Sequence, residues 1–279
     1  MVGRRRGDLL AAALAAKLAA GCSGAMAQEQ PKSAPPCGGD VIARGIAKHV
    51  IDGRTFVLDD GREVRLAAIE VPPAESGAAP GAAAAKAALD ALVGGDDIVL
   101  RHADIATDRY GRLVAYAYAV RDGDELFAQG ELIASGFATV GDHVGSRPCA
   151  LALLKGENAA RSAKLGLWAD SHYDVLDAEA PADVLARRGR FALVEGKVVS
   201  VRESGATIYV NFGRRWSEDF TVTVLKRNER NFTAAGLDLR GLTGRRIRVR
   251  GWIEARGGTG PSPWIEAEYP EQIETADVR

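Results

Sequence analysis

The sequence predicts a mainly β protein with a few helices, of the α+β class, organised as two β domains in succession. A chain of 279 residues is long enough for about two domains, and 47% of its residues are hydrophobic, so cores can be buried. Short runs rich in β-branched and apolar residues, bounded by Gly, Asp and Pro, occur before residue 121 and again after residue 190. Runs of strong helix formers interrupt the first block of strands and follow it.

The first block predicts a strand meander, a helix, two strands and two helices. Asp52-Gly53 and Asp59-Asp60-Gly61 are typical turn sequences between antiparallel strands. Gly94-Gly95 closes the first helix. In chain order the predicted elements are strands over 45–51, 55–58 and 63–69, a helix over 82–93, strands over 97–103 and 113–120, and helices over 126–135 and 148–164.

The second block predicts a small β-barrel. An acidic, Ala-rich connector with a little helix precedes it, and glycines mark its turns. Five strands with a helix-sized insert before the fourth predict an OB-like barrel. The strands are predicted over 194–201, 207–212, 220–225, 245–254 and 264–268.

The first 27 residues have the order of a secretory signal peptide. Arg4 to Arg6 form a basic start, Leu9 to Gly21 is a short apolar run, and Ala25-Met26-Ala27 is a small-residue cleavage site. The apolar run is too short to span a membrane. A lipid anchor at Cys22 and a twin-Arg export signal are the alternatives. The domain boundaries predicted are 1–27 for the signal peptide, 28–40 for a linker, 41–170 for the first domain, 171–187 for a connector and 188–275 for the second domain.

The cysteines support export to the periplasm or the medium. Once the leader is removed, Cys37 and Cys149 remain, and two cysteines in an oxidising compartment can pair. We therefore predict a Cys37–Cys149 disulfide, with two separate buried thiols as the alternative.

The charge of the whole chain does not predict a strong nucleic-acid binder. Its formal net charge is -1, whereas such proteins usually carry a basic excess. The second domain is more basic than the first, so any polyanion is expected to engage the second domain. Alternating arginines on one strand, near three aromatic residues, predict either a strand-binding face or a solvated outer face. These residues are Arg246, Arg248 and Arg250, with Tyr209, Trp216 and Trp252.

Three ordered motifs resemble the staphylococcal nuclease (thermonuclease-like) family. The resemblance covers about residues 40–170 and implies a five-stranded OB-type barrel flanked by three helices. It also extends to Ala134-Ser135-Gly136-Phe137-Ala138 and Gly166-Leu167-Trp168. The motifs are Val50-Ile51-Asp52-Gly53-Arg54-Thr55-Phe56, Val64-Arg65-Leu66-Ala67-Ala68-Ile69-Glu70-Val71-Pro72, and Asp108-Arg109-Tyr110-Gly111-Arg112-Leu113-Val114-Ala115-Tyr116.

The resemblance implies calcium-assisted hydrolysis of phosphodiesters. Carboxylates hold Ca²⁺, a glutamate positions or activates water, and two arginines clamp the phosphate. The two arginines correspond to Arg65 and Arg112. Asp52 is retained near the metal, and a second metal aspartate corresponds to Glu70, which could still reach an ion.

Two departures from the family pattern fall on the chemistry itself. The first metal-binding aspartate corresponds to Arg54, and the catalytic glutamate corresponds to Pro73. A like-charge contact at about 4 Å costs on the order of 4 kcal/mol at an effective dielectric near 20, so Ca²⁺ affinity should fall steeply. Loss of a general base typically costs roughly 100- to 10,000-fold in rate. Glu75 lies nearby, but the Pro72-Pro73 pair would re-aim it.

The sequence thus gives three functional hypotheses. The first is an exported family member that binds nucleic acid, small phosphates or other anions through Arg54, Arg65 and Arg112, with weak or no hydrolysis and no cofactor. The second is an active metal-dependent nuclease that uses Asp52 and Glu70. The third is a cell-envelope interaction module without an anion ligand.

Overall fold

The structure, a computed structural model, describes residues 37–73, 81–215, 217–257 and 261–275. These residues belong to one compact unit, and the division into two domains stays a prediction. The predicted signal peptide, Cys22 and most of the linker lie outside the described residues, as do Glu75 and Trp216.

The first β region closes into a ring of five strands. Strand β3 (Glu63–Leu66) pairs antiparallel with β2 (Thr55–Leu58) and parallel with β6 (Leu113–Arg121). Strands β1 (Val41–Asp52) and β5 (Asp97–Thr107) complete the ring, so the predicted OB-type barrel is confirmed. The buried side chains of these strands and of the helices beside them form one hydrophobic core. The strands are β1 (Val41–Asp52), β2 (Thr55–Leu58), β3 (Glu63–Leu66), β4 (Ile69–Glu70), β5 (Asp97–Thr107), β6 (Leu113–Arg121), β7 (Asp124–Phe127) and β8 (Thr139–Val140).

The strand predicted over 63–69 is broken in the structure. Ala68 has a φ of 65°, which lies in the left-handed region that side chains other than glycine seldom adopt. The backbone N–H of Gly141 donates to the carbonyl of Ala68 at 2.8 Å, and β4 then pairs with β8 instead of continuing along β2. The break places Glu70 in the β4–β8 pair, whereas Arg65 remains on the barrel strand β3.

Three helices flank this barrel, as the resemblance implies. Helix α1 has the predicted bounds, whereas α2 begins two residues later than predicted because Leu126 and Phe127 pair with β6 as part of β7. Ser146 caps the third helix by accepting the backbone N–H of Cys149 at 3.3 Å. The helices are α1 (Ala82–Val93), α2 (Ala128–Ala134) and α3 (Arg147–Ser162).

A disulfide joins Cys37 to Cys149 at the start of α3, as the sequence predicts. The two Cα atoms are 4.8 Å apart, and both cysteines are buried in the first core. The hydroxyl of Tyr118 donates to the Cys37 carbonyl at 2.6 Å, so the start of the described chain is fixed to β6 as well as to α3.

The second β region has more strands than the five predicted. The run predicted over 194–201 is two strands in two different sheets, and the run predicted over 245–254 is also divided. Side chains of both sheets share a second hydrophobic core. One sheet has the order β17-β14-β10-β9 and the other β11-β12-β13-β16-β15. The elements are β9 (Leu176–Asp177), α4 (Pro181–Leu185), β10 (Phe191–Lys197), β11 (Ser200–Ser204), β12 (Thr207–Asn211), β13 (Thr221–Leu225), α5 (Glu229–Ala234), β14 (Arg246–Trp252), β15 (Glu254–Arg256), β16 (Ser262–Glu266) and β17 (Ile273–Thr275).

The two β regions meet around a buried arginine. The side chain of Arg250 on β14 is 1% exposed and donates to both carboxylate oxygens of Glu157 on α3, at 3.0 and 2.7 Å. It also donates to Glu274 at 2.6 Å and to the Val140 carbonyl at 3.0 Å. Burial acts to lower the pKa of Arg250, but the two glutamates outweigh it and the pKa is raised.

This burial corrects the expectation of a single exposed arginine face on β14. Arg246 and Arg248 both bind Glu195, at 2.8 and 2.6 Å, and Arg250 is enclosed between the two regions. Arg246 and Arg248 thus share one carboxylate, whereas Arg250 has two, so the three arginines do not present one exposed face. Over the described residues, no helix is both long and apolar enough to cross a membrane.

Candidate anion-binding site

One cleft on the first barrel brings together the three arginines that the sequence singles out. Arg54, Arg65 and Arg112 all line it, together with Glu70. They come from the turn after β1, from β3 and from the turn before β6, which the barrel places side by side through the β2–β3 and β3–β6 pairings.

The turn that presents Arg54 is held against helix α1. The carboxylate of Asp52 accepts the backbone N–H of Arg54 at 2.9 Å, which is an Asx turn. A Cβ atom at Gly53 would lie 2.7 Å from the Cβ of Ala85, so only glycine permits this approach. Asp52 therefore shapes the turn, and its side chain is not among those that line the cleft.

Glu70 lies between two guanidinium groups. Its carboxylate forms an ion pair with Arg54 and a longer one with Arg65, at 3.5 Å, and its side chain is 11% exposed. Burial raises the pKa of Glu70, an effect that Arg54 and Arg65 oppose and the nearby Asp142 reinforces. Burial and the neighbouring Arg54 lower the pKa of Arg65. Two cations thus share one carboxylate.

Arg112 has a carboxylate partner of its own. Its Nε atom donates to Asp108 at 2.7 Å, and its Nη2 atom forms an ion pair with the same carboxylate at 2.6 Å. Burial acts to raise the pKa of Asp108, but the hydrogen bonds from Arg112 and from the backbone of Tyr110 outweigh it, so the pKa is lowered. Tyr110 lies between two arginines, 5.1 Å from the guanidinium of Arg112 and 4.8 Å from that of Arg109.

The retained carboxylates do not fit a Ca²⁺ ion. Calcium takes six to eight oxygen ligands, with several from carboxylates. Here Asp52 binds a backbone N–H, and Glu70 is bound by the positively charged Arg54. No three His, Cys, Asp or Glu side chains are grouped as a metal site would need in the part of the chain that the structure describes.

Sequence reasoning missed two features of the site. The motif that contains Asp108 does not by itself give this residue a role, although its place four residues before Arg112 is a signal for an ion pair across a turn. Trp252 also lines the cleft, although it belongs to β14 of the second β region. Nothing in the sequence marks this contact, because it depends on how the two β regions pack. Pro73 lines a neighbouring pocket instead of the cleft.

Part of the chain matches a known protein family. Residues 63–170 match the family model described as Staphylococcal nuclease homologue. A search of curated proteins found no match. The matched segment contains Arg65, Glu70 and Arg112, whereas Asp52 and Arg54 precede it. Residues 63–170 are therefore similar to the staphylococcal nuclease homologue family.

Proposed function

We propose that the arginine cleft binds phosphate-bearing or other anionic ligands without a metal ion, and that hydrolysis is weak or absent. The observation that carries the proposal is that Arg54, Arg65 and Arg112 line one cleft while Arg54 and Arg65 share the single carboxylate of Glu70. A shared carboxylate leaves guanidinium donors available for an anion.

Arginine suits this role because of its geometry. A guanidinium offers five N–H donors in a fixed plane and meets a phosphate with two parallel hydrogen bonds. Arg54, Arg65 and Arg112 are only partly exposed, at 16%, 26% and 19% of their side chains, so their charges are less screened than those of surface arginines. Glu70 and Asp108 would hold the guanidinium groups in place from behind.

Catalysis lacks two of its usual components. A proline at position 73 cannot accept a proton from water, and the positive charge of Arg54 opposes a cation beside it. The alternative of an active metal-dependent nuclease would need Asp52 and Glu70 to leave their present partners for an ion.

Titration of the protein with pyrophosphate in the presence of EDTA tests the proposal. We expect binding that Arg65→Gln weakens about ten-fold, the order of a charge-assisted hydrogen bond. Arg62→Gln is the matched control, because Arg62 lies on the same hairpin but pairs with Asp60 at 2.7 Å outside the cleft. Absence of binding to the wild type, or equal losses in both variants, would overturn the proposal.

Incubation with single-stranded DNA, with and without Ca²⁺, separates binding from hydrolysis. We expect the DNA to survive in both conditions. A calcium-dependent loss of DNA that Glu70→Gln abolishes would instead establish the nuclease.

We further propose that the chain is exported. The Cys37–Cys149 disulfide supports this, because such bonds persist in oxidising compartments. Fractionation of cells that express the tagged chain tests it: we expect periplasmic or secreted protein, unchanged in Cys22→Ser. Retention in the cytoplasm contradicts export, and a membrane fraction lost in Cys22→Ser indicates a lipid anchor.

A further inference from the structure

A groove extends over the outer face of the sheet that contains β11, β12 and β15. Successive residues of a strand point to opposite faces, and the neighbours Val201 and Ile208 pack in the second core. Arg202 and Tyr209 therefore point away from that core, and they lie opposite each other in the β11–β12 pair. The volume of the groove, about 790 Å³, is in the range of ligand-binding sites. Its lining includes Val199, Ser200, Arg202, Tyr209, Arg214 and Arg256.

Three arginines of this groove differ from those on β14. Among the described residues, no carboxylate lies within 4.0 Å of Arg202, Arg214 or Arg256, whereas Arg246 and Arg248 both bind Glu195. The sequence places a basic face of the second β region on β14, but the arginines without carboxylate partners are on the other sheet and its turns. Positive charge therefore faces this groove.

Two aromatic rings hold one of the three arginines in place. The guanidinium carbon of Arg256 is 5.6 Å from the ring centre of Tyr209 and 5.6 Å from that of Trp264. Cations are attracted to the faces of such rings. These contacts fix the half-buried Arg256 without neutralising its charge, so the guanidinium is positioned for an anion.

The groove has little negative charge of its own to repel an anion. Of the described residues that line it, Glu203 alone carries a carboxylate. That carboxylate forms ion pairs with Lys226, at 2.9 Å, and with Arg240. The charge of Glu203 is thus compensated from outside the groove, and the three arginines determine the sign of the surface.

Strand β11 follows one side of the groove and is an edge strand. It pairs with β12 alone in the part of the chain that the structure describes. Its residues Ser200, Arg202 and Ser204 line the groove, and Val199 before it is 42% exposed. An edge strand presents backbone N–H and C=O groups with which an added strand can pair.

We propose that this groove binds an extended acidic peptide, which adds a strand beside β11 and directs its carboxylates to Arg202, Arg214 and Arg256. Charge complementarity selects an anion, since a guanidinium meets a carboxylate with two parallel hydrogen bonds. The edge of β11 selects a polypeptide, because strand addition requires the backbone of a peptide. The groove is separate from the arginine cleft of the first barrel and does not depend on the function proposed for that cleft.

Fluorescence anisotropy with a labelled peptide of four Glu-Thr repeats tests the proposal. Threonine favours an extended backbone, and alternation places every glutamate on one face. We expect the wild type to bind this peptide about ten-fold more tightly than four Gln-Thr repeats, the order of a charge-assisted hydrogen bond. The Glu-Thr peptide methylated on all its backbone nitrogens keeps its carboxylates but cannot donate to β11, and it should also bind about ten-fold more weakly.

Variants then locate the peptide. The double variant Arg202→Gln, Arg256→Gln should lose about ten-fold or more of the affinity for the Glu-Thr peptide. Arg230→Gln is the matched control, because Arg230 is an exposed arginine of α5 that does not line the groove. Arg65→Gln, which changes the arginine cleft, should likewise leave the affinity for the peptide unchanged.

Four results would overturn the proposal. Equal affinities for the Glu-Thr and Gln-Thr peptides would exclude recognition of carboxylates, and equal affinities for the methylated and unmethylated peptides would exclude strand addition. A loss in Arg65→Gln or Arg230→Gln as large as in the double variant would place the peptide outside the groove. Tighter binding of an eight-residue oligothymidylate than of the Glu-Thr peptide would contradict the choice of a peptide. Each of these results leaves the pyrophosphate test of the arginine cleft unaffected.

Discussion

Arginine side chains have opposite roles in two clusters of this protein. At the junction of the β regions, Arg250 is 1% exposed and meets two carboxylates, those of Glu157 and Glu274. In the cleft the ratio of arginines to carboxylates is reversed, because two arginines, Arg54 and Arg65, share the one carboxylate of Glu70 and remain partly exposed. We call the junction around Arg250 the closed cluster, because carboxylates of the protein satisfy its arginine. We call the cleft with Arg54 and Arg65 the open cluster, because a ligand can reach its arginines.

The difference shows how the surroundings decide what an arginine does. A buried arginine without matched carboxylates would lose its solvation without compensation, so Arg250 is compatible with burial only because Glu157 and Glu274 satisfy it. Arg54 and Arg65 border a cleft that solvent or an anion can enter, and they tolerate a shortage of carboxylates there. The number of carboxylate partners and the exposure of the side chain together distinguish a structural arginine from a candidate for ligand binding.

Removal of the disulfide should have the largest effect on the free energy of unfolding and should leave anion binding by the open cluster intact. Cys37 and Cys149 are 112 residues apart, and a crosslink over such a loop contributes roughly 4–5 kcal/mol in the entropic account. We expect the double variant Cys37→Ala, Cys149→Ala to lose about that much unfolding free energy in a urea titration. Its affinity for pyrophosphate should stay unchanged, because neither cysteine lines the cleft. A loss below about 1 kcal/mol would contradict the crosslink's role.

Substitution of Arg250, the arginine of the closed cluster, should have the next largest effect on the free energy of unfolding. Arg250→Met leaves Glu157, with a fully buried side chain, without its main partner, and breaking such a pair costs about 3–5 kcal/mol. Arg246→Met is the matched control on the same strand, since the exposed pair of Arg246 with Glu195 is worth about 0–1 kcal/mol. Urea denaturation of both variants measures the contrast, and equal losses would show that Arg250 is not structurally distinct.

Acidification should raise the anion affinity of the open cluster several-fold. Glu70 forms ion pairs with Arg54 and Arg65 and lies near Asp142. Because burial raises the pKa of Glu70, protonation frees the two guanidinium groups at a higher pH than for an exposed glutamate. Sulfate is the appropriate probe, as its charge stays constant while a carboxyl group titrates. We expect sulfate affinity to rise as the pH falls through the pKa of Glu70.

The variant Glu70→Gln provides the control for this pH dependence. It should bind sulfate more tightly at neutral pH and show a flatter profile. His143 also lines the cleft, with its Nε2 atom 3.4 Å from Asp104. An unchanged slope in Glu70→Gln would contradict the role given to Glu70.

The sequence predicts the first barrel well and the contacts between the β regions poorly. Turn residues such as Asp52-Gly53 and the Ala-rich run of α1 are local signals, so the strands and that helix follow from them. The left-handed backbone at Ala68 has no such signal, and it breaks a run that otherwise favours one continuous strand.

Long-range packing explains the remaining differences. The alternation of arginines on β14 correctly predicts a strand, but only the approach of α3 buries Arg250 against Glu157. The placement of Trp252 at the cleft likewise depends on the junction. The motifs that contain the three arginines of the cleft are local and predict them, whereas Asp108, the carboxylate partner of Arg112, and the aromatic neighbour Trp252 are not predicted.

The charge at position 54 tests the central claim most directly, since Arg54 lines the cleft and pairs with Glu70 there. Isothermal titration of wild type and Arg54→Asp with pyrophosphate in EDTA, and separately with Ca²⁺, measures both sides of the exchange. We predict that Arg54→Asp loses about ten-fold or more of its pyrophosphate affinity, the order of a charge-assisted hydrogen bond, and gains measurable Ca²⁺ binding as a carboxylate joins Glu70. If neither affinity changes, Arg54 is a solvated turn residue and the metal-free anion site is wrong.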